Sequence, residues 1–317
     1  MLPPPSALRA PAPVLRLALA GLLVAVVAGC APPDRPPALA RELPDPLLEV
    51  LHPDSLRVIR VADGVFYRYL WSPVGPWAVH LLEVDLTRCR LGVEVAPAGT
   101  GLAGRRTVSE LVAEWEGDVL AAVNGDFFTP EGRPLGPEVS GGVRRSGRER
   151  PAVAFRPGAG LPWIGTTGVS EETVIRTGWP LEDEGLRAVQ VMGGYPELLD
   201  GGERVGDLGA STNPSFAAQR HPRTAVGVSM EDRRLWWVVV DGRQGAYSTG
   251  MTLAELAALF EALGAEEALN LDGGGSSVML IRGRTVSRPS EETGERPVAN
   301  ALLLVDDVGF CPGPGGS

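Results

Sequence analysis

The stretch Asn270-Leu-Asp-Gly-Gly-Gly-Ser-Ser277 brings together a carboxylate, an amide, three glycines and two hydroxyls. Glycine gives up the most backbone freedom on folding, so three in a row are costly unless bare backbone must approach something closely. The N–H groups of Gly273, Gly274 and Gly275, with the hydroxyls of Ser276 and Ser277, can cradle a phosphate or sugar oxygen. Asp272 can supply charge beside them. A tight turn is the plainer reading; the run Asp-Gly-Gly-Gly-Ser-Ser favours a loop that faces a ligand.

A second carboxylate stands in a matching position, in Asn124-Gly-Asp-Phe-Phe128. Thr107 and Glu110 form a capping-box pattern for a helix that Gly117 ends, and the short apolar strand Val119–Val123 leads to Asn124. The C-terminal half repeats this order. Thr252 and Glu255 form a second capping box, and Leu253, Leu256, Phe260 and Leu263 make one apolar helical stripe. Gly264 stops that helix, and the strand Ala268–Leu271 leads to Asp272. Two such units can direct Asp126 and Asp272 into one cleft at their strand ends, where open sheets bind ligands. Coincidence between two common supersecondary units is the alternative.

Composition narrows the chemistry. All 29 basic residues are Arg, which removes Schiff-base lysine chemistry and a P-loop. The 3 histidines, His52, His80 and His221, are far apart, so a His-rich zinc site and a Ser-His-Asp triad have little to draw on, and no Gly-x-Ser-x-Gly elbow occurs. Carboxylate, amide, hydroxyl and guanidinium remain. A net charge of −10 argues against nucleic acid as a partner.

The N-terminus reads as an address. Arg9 and Arg16 precede the apolar run Leu17–Ala28, and Val27-Ala28-Gly29-Cys30 is similar to a bacterial lipobox. Residues 1–29 are thus expected to be a lipoprotein signal peptide, with Cys30 lipidated and holding the chain on a membrane in the cell envelope. A secretory signal with an incidental Cys is the alternative. Residues 30–54 read as a Pro-rich tether, 55–308 as the folded domain and 309–317 as a flexible tail. Export permits a disulfide between Cys89 and Cys311; two separate buried thiols fit as well.

Within the domain, strand patterns run over Leu56–Val58, Val65–Leu70, Trp77–Val84 and Leu91–Val95. Others run over Ala152–Phe155, Pro162–Ile164, Thr173–Ile175 and Val189–Met192, with a hairpin signal at Leu198-Leu-Asp-Gly-Gly202. Gly206–His221 reads as a flexible excursion, followed by strands Arg223–Ser229 and Arg234–Asp241. The expected class is α+β, a mixed β-sheet core with a few packed helices and more strand than helix.

Six motifs then occur in an order that resembles the phosphodiester glycosidase family, here as an exported bacterial member. They are Asn124-Gly-Asp-Phe-Phe128, Pro222-Arg-Thr-Ala-Val-Gly227, Val240-Asp-Gly-Arg243, Ser248-Thr-Gly-Met-Thr252, Asn270–Ser277 and Arg296-Pro-Val-Ala-Asn300. The resemblance runs from about Arg105 to Val305. It implies hydrolysis of a sugar-1-phosphodiester at the glycosidic bond, releasing a sugar and a phosphomonoester from an envelope glycan or similar substrate. Asp272 and Asp126 are the leading catalytic carboxylates, with Asp241 and Glu138 in reserve; Asp241 reads equally as a strand-ending turn residue. Arg223, beside Thr224, is the first choice for phosphate and Arg243 the second, because guanidinium binds phosphate oxygens in pairs. Asn124 and Asn270 can hold sugar hydroxyls or brace the carboxylates, while Phe127 and Phe128 fit the core better than a sugar platform. Gly193-Gly-Tyr-Pro196 departs from the family's more glycine-rich run, so Tyr195 can narrow the pocket or stack on a sugar. No cofactor is required, and an accessory divalent metal is left open. Two rivals use the same residues: a non-catalytic envelope lipoprotein that binds phosphorylated polysaccharide, and a metal-dependent phosphodiesterase with Asp126, Asp241 and Asp272 as oxygen ligands.

Overall fold

In the computed structural model, which describes residues 43–307 apart from 102, 147, 156–161, 170–173, 177–189 and 212, the apolar run Leu235–Val240 is a strand covered on both faces. Its alternation explains the cover. Leu235, Trp237 and Val239 enter one core, while Trp236, Val238 and Val240 enter another.

In chain order, helix α1 (Asp45–Leu51) precedes strands β1 (Ser55–Ala62), β2 (Val65–Ser72), β3 (Trp77–Asp85) and β4 (Leu91–Pro97). Helix α2 (Val108–Glu114) leads into β5 (Asp118–Asn124), and β6 (Glu138–Ser140), β7 (Val143–Ser146), β8 (Arg150–Phe155), β9 (Trp163–Val169) and β10 (Val174–Arg176) follow. Next come β11 (Gln190–Gly193), β12 (Glu197–Asp200), β13 (Glu203–Arg204) and the short helix α3 (Pro214–Ala218). Strands β14 (Arg223–Ser229) and β15 (Arg234–Val240), helix α4 (Leu253–Leu263) and β16 (Glu267–Asn270) lead to a 3-10 turn, Gly274–Ser276. Strands β17 (Met279–Ile281), β18 (Arg284–Thr285) and β19 (Asn300–Asp306) complete the described fold.

These strands form an eight-stranded sheet, β1-β2-β3-β15-β14-β16-β12-β13, and a five-stranded sheet, β18-β17-β5-β19-β4. A six-stranded sheet, β10-β9-β8-β11-β6-β7, is the third. The first two pack face to face, since Val226 and Trp237 of one share a core with Val123 and Leu302 of the other. Helices α1 and α4 cover the outer face of the eight-stranded sheet. Helix α2 covers the outer face of the five-stranded one, where Val108 and Leu111 meet Ala122 and Leu303.

The helices begin where the sequence says they should. Thr107 and Thr252 each complete a capping box with Glu110 and Glu255. Gly264 takes the left-handed conformation that ends α4. The close seat of α4 on its sheet needs Gly227, where a Cβ would run into the Phe260 ring.

The α+β class holds, with 45% strand against 14% helix. Three expectations change. The sheets, expected as mixed, are antiparallel at every described pairing, because α4 returns β16 beside β14 in the opposite direction. The stretch expected to be tether up to residue 54 instead joins the fold at Leu43: Leu43, Leu47 and Leu51 are buried against α4 and its sheet. Gly206–His221 is not irregular throughout, since Asn213 caps α3 through the Phe216 N–H and Pro214 opens its first turn. The signal peptide, Cys30 and the tail lie outside the described residues, as does Cys311; Cys89 is disulfide-bonded. No helix among the described residues is long and apolar enough to cross a membrane.

Candidate active site

Strand β5 ends in Asn124 and β16 ends in Asn270, and the two sheets bring these tips together. The Asp272 N–H donates to the Gly125 carbonyl at 2.9 Å. Asn124 fixes the junction: its Nδ2 donates to the Asp272 carbonyl (2.6 Å), and its Oδ1 accepts from the Thr224 hydroxyl (2.7 Å) and the Val278 N–H (3.1 Å). With both side-chain atoms used, Asn124 and Thr224 brace the site from within. Asn270 donates to the carbonyls of Tyr195 and Leu271 (2.8 and 2.9 Å), and its buried Oδ1 has no protein partner.

The Asp272 carboxylate is held at both oxygens. Oδ1 accepts from the Gly273 N–H (2.9 Å), and Oδ2 accepts from the Ser276 hydroxyl (2.6 Å) and Arg296 Nη2 (3.3 Å). Burial raises the Asp272 pKa from the usual carboxylate value, while Ser276, Arg296, the Gly273 N–H and Arg150 pull it back. Asp126 is buried more deeply. Its N–H donates to Asn300 Oδ1 (2.9 Å), and its Oδ2 accepts from the Gly136 N–H (2.6 Å). Its Oδ1 is buried with no protein partner. Burial pushes the Asp126 carboxyl up to about 7; the Gly136 N–H, Arg150 and the Phe127 N–H oppose the shift, and the Asp272 charge adds to it. Gly136 and Gly193 have no side chain for this reason, since a Cβ on either would press on Asp126 Oδ2.

Two of the glycine triplet's N–H groups are used within the protein. The Gly273 N–H is given to Asp272 and the Gly274 N–H to the Pro222 carbonyl (2.9 Å). Bare backbone is needed because other groups crowd it. A Cβ on Gly273 would lie 2.8 Å from the Pro222 carbonyl oxygen, and one on Gly274 would lie 3.0 Å from Arg243 Nη2. One on Gly275 would overlap the Glu291 carboxylate. The turn therefore presents Asp272 through Ser276 and leaves Arg243 and Glu291 over its glycines. Ser277 Oγ is buried without a partner.

The arginines divide by role. Arg223 is only 1% exposed, and it donates from Nε to the Met251 carbonyl (2.8 Å) and from Nη2 to the carbonyls of Phe216 and Gln219 (2.7 and 3.0 Å). The first choice for phosphate thus uses Nε and Nη2 to close the α3 segment onto β14. Arg243 is exposed and forms no ion pair with a described residue. Two cations that sequence reasoning missed complete the site. Arg150, at the start of β8, acts electrostatically on both Asp126 and Asp272 and lies over the rings of Phe127 and Tyr195, 5.4 and 5.2 Å from their centroids. Arg296 holds Asp272 and lies over Phe128. Phe127 and Phe128 are half-buried beneath guanidiniums, and Tyr195 shares that surface.

The reserve carboxylates lie one step out. Glu138 accepts from Arg145 Nε (2.9 Å) and from Asn300 Nδ2, so Asn300 links it to Asp126. Burial raises the Glu138 carboxyl, against Asn300 and Arg145. Asp241 belongs to a separate buried network: Oδ2 meets His80 Nε2 (3.0 Å) and the Tyr247 hydroxyl (3.1 Å), and Oδ1 accepts from the Arg288 N–H (2.9 Å). It anchors the segment that carries Arg243. No three His, Cys, Asp or Glu among the described residues form a group that could hold a metal ion, so Asp126, Asp241 and Asp272 are not a shared ligand set.

Residues 117–305 match the family model for phosphodiester glycosidase. An 85-residue stretch is 36% identical to the SPbeta prophage-derived uncharacterized protein YomE of Bacillus subtilis, covering 27% of this chain and 13% of that protein. The fold is similar to a hypothetical protein from Synechocystis, with a TM-score of 0.63 and 19% identity over 79% of this chain and 64% of that one. It is also similar to the zebrafish N-acetylglucosamine-1-phosphodiester alpha-N-acetylglucosaminidase catalytic domain auto-inhibited by its pro-peptide, with a TM-score of 0.56 and 22% identity over 80% of this chain and 82% of that one. At these identities the two structural likenesses are likenesses of fold.

Proposed function

The chain belongs to the phosphodiester glycosidase family, and we propose that it hydrolyses sugar-1-phosphodiesters at the glycosidic bond, releasing a sugar and a phosphomonoester. One observation carries this reading: at the joined tips of β5 and β16, two buried carboxyls, Asp126 and Asp272, act electrostatically on one another and share the guanidinium of Arg150.

The bond from the anomeric carbon to the phosphoryl oxygen breaks, its electron pair leaves with the phosphomonoester, and water supplies the new hydroxyl. Positive charge grows on the sugar in the transition state, and a fixed carboxylate stabilises it. Asp272 suits that role, because Ser276, Gly273 and Arg296 orient both of its oxygens. Asp126 keeps its proton to about pH 7 and has an unpartnered Oδ1, so it suits proton transfer with the leaving oxygen or the incoming water. A phosphomonoester is already a good leaving group, so neutralising its charge matters more than protonating it. Arg243 suits that role, since it is exposed, has no ion pair among the described residues and lies against Gly274. The half-buried aromatics, Phe127, Phe128 and Tyr195, offer the sugar ring a face.

The test is incubation with a panel of sugar-1-phosphodiesters and identification of the products. Free sugar and phosphomonoester are expected, and Asp272→Asn should lower turnover by roughly 10³-fold or more without lowering the melting temperature. Cleavage on the other side of phosphorus, yielding sugar-1-phosphate, would reject the reading. So would full turnover by the Asp272 variant.

The signal-like N-terminus supports a second element of the proposal, that the enzyme works in the cell envelope on a lipid attached to Cys30. Fatty-acid labelling of the full chain in a bacterial host should be lost in Cys30→Ser; equal labelling of the two would refute the anchor.

A further inference from the structure

We propose that the cavity outside Glu138 is a second anion site that takes a phosphoryl group, apart from the candidate active site. The cavity holds about 510 Å³, and its lining includes Thr129, Arg133, Arg145, Ser146 and Arg148 together with two acids, Glu131 and Glu138. Three guanidiniums and two hydroxyls face one space, a donor set suited to phosphate oxygens. Arg133 and Arg148 are exposed; Arg133 acts electrostatically on Glu131, and neither arginine is within ion-pair distance of a described carboxylate. The acids are already engaged. Glu138 is held by Arg145 Nε (2.9 Å) and by Asn300, and Glu131 interacts with the Thr129 hydroxyl. The volume admits a phosphoryl group together with the group that carries it.

Arg145 also anchors the wall, donating from Nη2 to the carbonyls of Gly99 and Gly101. Its partner Glu138 connects inward through Asn300 Nδ2, and Asn300 Oδ1 accepts from the Asp126 N–H (2.9 Å). An oxyanion on Arg145 competes with Glu138, and the Asn300 bridge carries that change to Asp126. The inference concerns binding alone and does not depend on the reaction proposed above.

The probe is inorganic phosphate, titrated by calorimetry into the wild-type chain, Arg133→Gln/Arg148→Gln and Arg243→Gln. The two substituted arginines are exposed, so the double variant should melt with the wild type, and Arg133→Gln alone serves as a milder check. Phosphate affinity should fall by roughly tenfold or more in the double variant. Arg243→Gln should keep a binding event of wild-type affinity. Unchanged binding in the double variant overturns the proposal, as does loss confined to Arg243→Gln, which would place phosphate at the glycine turn. A glycerol-phosphate oligomer identifies the source of the group. Tighter oligomer binding that the double variant loses makes the cavity a seat for a further phosphate of a polymeric substrate. Equal binding of oligomer and inorganic phosphate, both lost in the double variant, makes it a seat for a free phosphoryl compound.

Discussion

Asp126 and Asp272 start from the same side chain and are tuned differently by their surroundings. Asp272 meets three donors, while Asp126 is fully enclosed and is opposed in its shift only by the backbone N–H groups of Gly136 and Phe127 and by the more distant Arg150. Burial therefore dominates at Asp126 and sets it at about 7. If the proton on Asp126 is used in turnover, activity falls as pH rises through 7. Asp126→Asn should flatten that limb of the pH–rate profile and lower the rate by roughly 10²–10⁴-fold. A variant with an unaltered profile would remove Asp126 from the proton transfer. Stability supplies an independent readout. An unfolded Asp titrates near ~3.9, so between about pH 4 and 7 the folded chain binds the extra proton and loses stability as pH rises. The contribution is most favourable below the unfolded value and is lost once pH passes the folded one. Asp126→Asn should thus be more stable than wild type at pH 8, by about 1–4 kcal/mol, with the gap closing toward pH 4. Equal melting temperatures at both pH values would argue that the carboxyl is not raised.

At the scale of elements, the site is a junction between two strand tips, and Asn124 is its fastener. One amide serves β5, β14, the Asp272 turn and the approach to β17. Asn124→Ala would leave the Thr224 hydroxyl, the Val278 N–H and the Asp272 carbonyl buried without it, and should cost about 2–4 kcal/mol by chemical denaturation. A cost below ~0.5 kcal/mol would mean that the tips are held elsewhere. The elements themselves were legible in the sequence wherever the cues are local: both capping boxes, the Gly264 stop and the two Asn-x-Asp strand ends can be read without knowing the fold. Asn124 was singled out by its position, but its bracing role was only one of two readings, because its partners lie 100 to 154 residues away in sequence. Arg150 carried no local sign, since only the return of β8 beside β11 brings it to the acids. The structural part played by Arg223 was hidden for a related reason: the pattern around it marks a conspicuous arginine, and nothing local shows that its Nε and Nη2 meet carbonyls from Met251, Phe216 and Gln219. Helix α1 was hidden by composition. Leu43, Leu47 and Leu51 stand four apart, a helical spacing, but prolines around them read as tether.

At the scale of the molecule, the strand tips that carry Asp126 and Asp272 depend on three cores that share strands. Alternate residues of β14 and β15 enter the inter-sheet core and the core under α4, and the residues of β5 and β19 divide between the inter-sheet core and the core under α2. A defect in one layer is therefore felt in the next, because the backbone that carries it belongs to both. Trp237 tests this most directly: it is fully buried between the sheets, and its neighbours Trp236 and Val238 lie on the opposite core. Trp237→Ala should destabilise the chain by about 3–5 kcal/mol. Far-ultraviolet dichroism, tryptophan fluorescence and turnover should then be lost together in one transition at a lower denaturant midpoint. The Asp126–Asp272 pair sits where the two sheets meet, so its geometry cannot outlast their contact. Loss of turnover well before the sheets unfold would show instead that the tips are held by their local bonds, and that the layers melt apart from the site they frame.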